Sequence, residues 1–171
     1  MKFRSASQHA LFNSLNDLKW YLDRVGNFKN CSRKVLTESL HTIIELIAPL
    51  VPHMAEEFWS KVGGKDFVSV EDWPKFDQSK TDRNAVDLEQ IFKKTIEDLR
   101  NILKMTGAKK NVYLYTASDK EFKHIDEGKE FIKKQFGFKK VSVFKSSDKK
   151  IYDPQNKAGK AKYGKPGIFL E

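Results

Sequence analysis

Val112-Tyr113-Leu114-Tyr115-Thr116 marks the point at which the chain changes its period. Aromatic and β-branched residues in close succession predict a strand. Downstream, Ser118 with Glu121 three residues later is a capping-box signature, and it opens a helix whose apolar face is Phe122, Ile125, Ile132 and Phe136. Val141-Ser142-Val143-Phe144 reads as a second strand, and a helix of this length between two strands implies a parallel pair with a crossover. Residues 145–165 are loop-like, and Gly167-Ile168-Phe169-Leu170 reads as a short closing strand.

Upstream of residue 107 the apolar spacing is helical. Leu11, Leu15, Leu18, Leu22 and Val25 define one face of a helix from Phe3 to Val25, which Gly26-Asn27 ends. A second helix, N-capped by Ser32, runs to Val62 and is apolar on more than one side, so more than one neighbour must bury it. Pro49 and Pro52 should kink it, and Gly63-Gly64 stops it. Residues 66–77 read as an extended crossing segment whose aromatics, Trp73 among them, tuck against the helices; residues 78–84 form a polar linker. A third helix spans 87–104, and Gly107 closes it. The expected fold class is therefore α+β: an antiparallel helical bundle over residues 1–106, followed by a small α/β domain over 107–171.

The 171 residues, 39% of them hydrophobic, suffice for a buried core. No run approaches the roughly 20 apolar residues that span a bilayer, and the start of the chain lacks the apolar core and cleavage site of a signal peptide. The single Cys31 excludes an internal disulfide, so a reducing compartment, the cytoplasm, fits best. Formal charge is +9 with a pI near 9.5, which favours a polyanionic partner such as nucleic acid, while basic balance alone would also suit a membrane surface. From Gly107 onward there are 16 lysines, no arginine and 8 acids, a net +8, leaving +1 for residues 1–106.

No catalytic constellation stands out. His9, His41, His53 and His124 are scattered without zinc-site spacing, so no metal is expected. His53 beside Glu56-Glu57 would suit a general base or a hydrogen-bonded structural histidine. Gly159, Gly164 and Gly167 do not precede a helix as a phosphate-cradling loop requires, and there is no nucleophile elbow. The segment 149–165 is different: Lys149, Lys150, Lys157, Lys160, Lys162 and Lys165 share it with Tyr152 and Tyr163. Cations beside aromatic stacking platforms suit RNA, whereas a solvated lysine-rich loop is the plain alternative.

Ala48-Pro49-Leu50-Val51-Pro52-His53-Met54-Ala55-Glu56-Glu57-Phe58-Trp59, then Gly63-Gly64 and Val70-Glu71-Asp72-Trp73-Pro74, resembles the anticodon-binding helical domain of class I aminoacyl-tRNA synthetases. Residues 10–24, residues 112–117, and the run from Tyr152-Asp153-Pro154 through Lys165-Pro166-Gly167-Ile168-Phe169-Leu170-Glu171 are similar to leucyl-tRNA synthetases of the archaeal and eukaryotic type. The family's adenylation motifs and its editing insertion have no counterpart here. The resemblance implies a C-terminal fragment of an enzyme that uses ATP and magnesium, in a catalytic domain elsewhere, to attach leucine to its tRNA. The fragment itself would carry no catalytic centre and no cofactor; its partner would be leucine tRNA, gripped by the body and the long variable arm.

On that resemblance Lys149, Lys150, Lys157, Lys160, Lys162 and Lys165 are expected to contact phosphates, and Tyr163, Ile168 and Phe169 to reach bases, a core role in the closing strand standing equally for Ile168 and Phe169. Arg24, Arg33 and Lys34 flank the turn between the first two helices, where a stem contact and a helix-dipole role both remain open. Trp59 and Trp73 are assigned to packing. Family bundles have further helices ahead of Phe3, so an uncovered apolar flank and self-association are expected. Two rival readings stand beside this one: a protein-interaction module without an RNA role, and the equivalent part of an isoleucyl- or valyl-tRNA synthetase.

Overall fold

The computed structural model describes residues 3–107, 109–148 and 151–171. Lys149 and Lys150, expected to contact phosphates, lie outside the described residues. The chain divides into two compact units, Met1–Gln78 and Ser79–Glu171. Among the described residues no helix is long and apolar enough to cross a membrane.

The first unit is helical. α1 (Phe3–Ser7) passes through a π-helical turn, Gln8–Asn13, into α2 (Ser14–Val25), so the expected helix widens by one backbone step in its first half. Gly26, at φ 71°, donates its N–H to Leu22 O and ends α2 in the left-handed conformation. Ser32 caps α3 (Arg33–Ile47) by accepting from Val35 N–H, and its own N–H donates to the Tyr21 hydroxyl at 2.9 Å.

The expected long helix through Val62 is two helices. Ala48, Leu50 and Val51 donate N–H groups to Ile44 and Ile47, finishing α3. Val51 then leaves helical geometry at φ −138°, ψ 65°, and Pro52 becomes the first residue of α4 (Pro52–Lys61). Proline at that position needs no donor and has a φ already suited to a helix, so Pro52 starts a helix here instead of kinking one.

Ile44, Ile47, Ala55, Trp59 and Val68 form the core of this unit, with Ala10, Leu11, Ala48 and Val62 against it. The crossing segment contains a 3-10 turn, Val68–Val70, anchored by the Glu56 carboxylate, which accepts from the Val68 and Ser69 N–H groups at 2.9 and 3.1 Å. Trp59 is buried and donates its indole N–H to Lys65 O at 2.9 Å. Trp73 corrects the packing expectation: it is 59% exposed and lines an open groove with Phe3, Ala10, Leu46, Pro49 and Leu50.

The second unit begins with α5 (Arg83–Thr106), four residues earlier than its apolar face alone suggests, because the Asp82 carboxylate accepts from the Asn84 and Ala85 N–H groups. α5 belongs with the sheet and not with the preceding helices. It buries Ile91, Phe92, Ile96 and Leu99, and Phe92 meets the rings of His124 and Phe131 at 6.0 and 5.9 Å. This places the division between units at Gln78–Ser79, where composition suggests 106–107.

β1 (Asn111–Thr116) is followed by α6 (Asp119–Glu127), α7 (Lys129–Phe136), β2 (Lys140–Lys145) and β3 (Gly167–Leu170). Gly128 splits the expected single helix into α6 and α7. The sheet order is β2-β1-β3, with β2 parallel to β1 and β3 antiparallel to it. The pleat sends Tyr113, Tyr115 and Phe169 to one face, and Val112, Leu114 and Ile168 to the other.

Candidate nucleic-acid interface

The chain between β2 and β3 is a built structure with little regular backbone. Asp153 accepts from the N–H of Lys157 at 2.8 Å and of Ala158 at 2.7 Å, one carboxylate oxygen each, which folds 153–158 into a turn ahead of a short 3-10 element, Ala158–Lys160. Ala158 is buried with Tyr113, Tyr115 and Phe169, while Phe144, Ile151 and Ala161 pack against them. Tyr115 donates its hydroxyl to Tyr152 O, and burial, aided by the nearby Asp153 carboxylate, pushes that phenol up to about 12. Gly167 is required by close approach, since a Cβ there would sit 2.4 Å from Lys157 O.

Beyond Lys160 the backbone forms a tight antiparallel bridge, with Lys162 N–H donating to Lys165 O at 3.1 Å and Lys165 N–H to Lys162 O at 2.9 Å. Tyr163 and Gly164 are its tip. Gly164 holds φ 78°, a conformation that favours glycine. The bridge is tethered from inside by Glu121, only 1% exposed, whose Oε1 accepts from Gly164 N–H at 2.6 Å. Its Oε2 meanwhile accepts from Ser118 N–H and the Ser118 hydroxyl at 3.1 and 3.2 Å, completing the capping box of α6. A buried carboxylate is tolerated when its lone pairs are filled in this way. The result is a rigid two-residue tip with Tyr163 63% exposed between two exposed lysines.

The expected contact residues distribute as follows. Lys160, Lys162, Tyr163 and Lys165 are exposed in and beside the bridge; Lys157 is half-buried, with its backbone used by Asp153. Phe169 is buried, its ring 5.7 Å from that of Tyr113, which is a core position. Ile168 is half-buried on the opposite face of the sheet, opposite Leu114 in the register. Arg24, Arg33 and Lys34 are in the first unit: Arg24 in the last turn of α2, Arg33 and Lys34 in the first turn of α3. The helix dipole favours a cation at Arg24 but opposes one at Arg33 and Lys34, and Lys34 stands 3.9 Å from Glu38.

Glu121 and Asp153 escaped the sequence reading as parts of this site. Glu121 was legible as a cap, but its bond to Gly164 crosses 43 residues and leaves no local signal. The carboxylates beside His53 are committed elsewhere, Glu56 to the crossing segment and Glu57 to Lys61. Among the described residues no group of three or more His, Cys, Asp or Glu side chains is placed to hold a metal ion.

The family model described as "Anticodon-binding domain of tRNA ligase" matches residues 1–116. The chain belongs to that family. The match takes in the whole first unit, α5 and β1 of this anticodon-binding-domain protein. It is similar to the leucine–tRNA ligase of Pyrococcus horikoshii, 34% identical over 123 residues, which is 70% of this chain and 13% of that protein. The leucine–tRNA ligase of Pyrococcus abyssi is 35% identical over 135 residues, 75% of this chain and 14% of the relative. That of Methanothermobacter thermautotrophicus is 35% identical over 116 residues, 67% and 12%. The chain thus spans about 13% of the length of the curated relatives it matches, and the likeness to leucyl-tRNA synthetases carried by its motifs is matched by these archaeal proteins.

Proposed function

We propose that this anticodon-binding-domain chain is a tRNA-gripping part of a leucine–tRNA ligase, with its lysine-rich segment on the tRNA body and long variable arm. The observation that carries the reading is the tethered Lys162–Lys165 bridge. Its tip is held by a buried carboxylate, so Tyr163 is offered to a base without the entropy of ordering a loop, and Lys160, Lys162 and Lys165 supply charge for phosphates. Leucine activation with ATP and magnesium, and its transfer to tRNA, would belong to other parts of such a ligase.

The test is binding of the chain to leucine tRNA with its variable arm intact and with that arm shortened, at two salt concentrations. The reading expects the shortened arm to weaken binding and added salt to weaken the intact complex more. Equal binding of both tRNAs at both salts would reduce the bridge to a generic basic surface. Anticodon-dependent binding would favour the isoleucyl or valyl alternative.

The groove of the first unit, lined by Phe3, Leu50 and Trp73, supports a second reading in which this unit docks protein, including another copy of itself. Sedimentation over a rising concentration series tests the self-association: a constant monomer mass would remove it.

A further inference from the structure

The bridge sits where β1 ends, since Tyr115 pairs with Gly167 and Glu121 lies in the helix that follows β1. The opposite end of the same sheet collects a second group of lysines. Lys109 and Lys110 lead into β1; Lys139 and Lys140 lead into and begin β2, a parallel neighbour that starts at the same end. Lys139 N–H donates to Lys110 O at 2.8 Å, and Asn111 stands opposite Lys140 in the register, so the two pairs are side by side. Lys133 and Lys134 occupy the last turn of α7, and Phe138 N–H, one residue before Lys139, donates back to Lys133 O at 3.2 Å. All but Lys109 are exposed.

This end is nearly free of acid. Residues 109–111, 133–141 and 168–171 contain one carboxylate side chain, Glu171, and it is occupied by the Asn111 amide and the Tyr113 and Tyr152 hydroxyls at 3.1 to 3.3 Å. Among the described residues none of the six ammonium groups lies within 4.0 Å of a carboxylate, although Lys140 is near enough to add to the Asn111 and Tyr113 hydrogen bonds that hold the Glu171 carboxyl below its usual range, whereas Lys61, Lys129 and Lys145 each hold a carboxylate directly. Ordinary structural reasons cover part of the set: the dipole of α7 favours Lys133 and Lys134, and a lysine on an edge strand protects against pairing. Neither accounts for Lys109, Lys110 and Lys139.

We propose that this end of the sheet is a second phosphate-contacting surface for RNA, with Lys110, Lys139 and Lys140 at its centre; the proposal rests on the tRNA reading above. The two basic ends are separated by the length of β1, roughly 17–20 Å at about 3.3 Å per residue. An RNA backbone that follows the sheet lengthwise engages both ends; a single nucleotide cannot. The aromatic rings between these lysines are turned to packing, Phe138 buried and Phe136 half-buried with its ring 5.8 Å from that of Phe138, so the surface adds affinity and orientation while base discrimination stays with Tyr163.

The experiment compares three forms of the chain binding intact leucine tRNA across a salt series: Lys110→Gln with Lys139→Gln and Lys140→Gln, the same three positions changed to Arg, and Lys162→Gln with Lys165→Gln. Removing one lysine–phosphate interaction lowers the slope of log affinity against log salt by about 0.7–0.9. The glutamine triple is expected to lose about 2 to 3 from that slope and at least about tenfold in affinity at low salt, and the arginine triple to keep both. If the glutamine triple binds like the parent chain while the Lys162/Lys165 form is weakened, the second surface is wrong and the tRNA reading survives. If neither form is weakened, both fall. A glutamine triple that binds weakly with an arginine triple that does not rescue it also overturns the proposal, because the effect would then not come from charge.

Discussion

The two units of this chain solve burial in opposite ways. In the second, strands and helices close over one another until Val112, Leu114, Tyr115 and Ile132 are wholly inside, and even the irregular segment before β3 is pinned by carboxylates to backbone N–H groups. In the first, a small core around Trp59 is surrounded by large apolar side chains open to solvent: Phe28 is 77% and Phe76 82% exposed, and Phe3, Phe12 and Phe67 are exposed too. The first unit thus leaves much apolar surface uncovered, whereas the α/β unit closes its apolar residues inside and fixes its irregular segment by hydrogen bonds.

The sharpest test of that contrast is a pair of truncations. Leu114→Ala removes a fully buried side chain and should cost about 2–5 kcal/mol of unfolding free energy, while Phe76→Ala should change it by no more than about 0.5 kcal/mol. Denaturant unfolding of both variants decides the matter, and a large loss from Phe76→Ala would mean the first unit is covered after all.

Glu121→Gln probes the polar side of the same contrast. An amide cannot accept on both of its ends, so either Ser118 or Gly164 faces an N–H group, and a loss of about 1–3 kcal/mol is expected. Amide hydrogen exchange should show Gly164 losing protection and the bridge with it; unchanged protection would mean the tether is not what holds the tip.

In the first unit Gly64→Ala tests how much rigidity exists around its one buried tryptophan. A Cβ at Gly64 would lie 2.3 Å from the Trp59 indole, so the ring must move, at a cost of about 1–3 kcal/mol. A shift in tryptophan fluorescence should accompany it, and an unaltered spectrum would show that this core yields readily.

The smallest effect at neutral pH concerns Tyr115. Its phenol is held protonated up to about 12, against about 10 in an unfolded chain, so its contribution to stability is fully present below pH 10 and is lost as pH rises towards 12. Alkaline unfolding followed by tyrosinate absorbance should begin at lower pH in the parent chain than in Tyr115→Phe, after allowance for the missing hydrogen bond to Tyr152.

What the sequence made legible was local. The change of period at Val112, the capping box of Ser118 and Glu121 and the left-handed stop at Gly26 depend on residues a few positions apart, the parallel pairing of β1 with β2 follows from the succession of strand, helix and strand, and each is present in the structure. The misreadings have equally physical origins. Pro52 carries the same sequence signal whether it bends a helix or begins one, and Val51 leaving helical geometry decides between them. Gly128 breaks a helix that apolar spacing alone would carry through to Phe136, and α5 sorts with the sheet because of what Phe92 touches, not because of its composition. Of the candidate site, the lysines and Tyr163 were visible as types of residue. Their presentation on a tethered tip was not, because it depends on one bond between residues 121 and 164.

Glu171 also joins the strand end to its beginning: its carbonyl accepts from the N–H groups of Lys110 and Asn111 at 2.8 and 2.9 Å, and its own N–H returns to Asn111 O. Entry to β1 and exit from β3 are therefore the same place. A segment with coincident ends can be cut out and set into a surface loop of another protein, or reopened elsewhere and rejoined there, without stretching either connection. Residues 110–171 have this joined geometry, and α5, whose Phe92 packs against His124 and Phe131, would have to travel with them to keep their core covered.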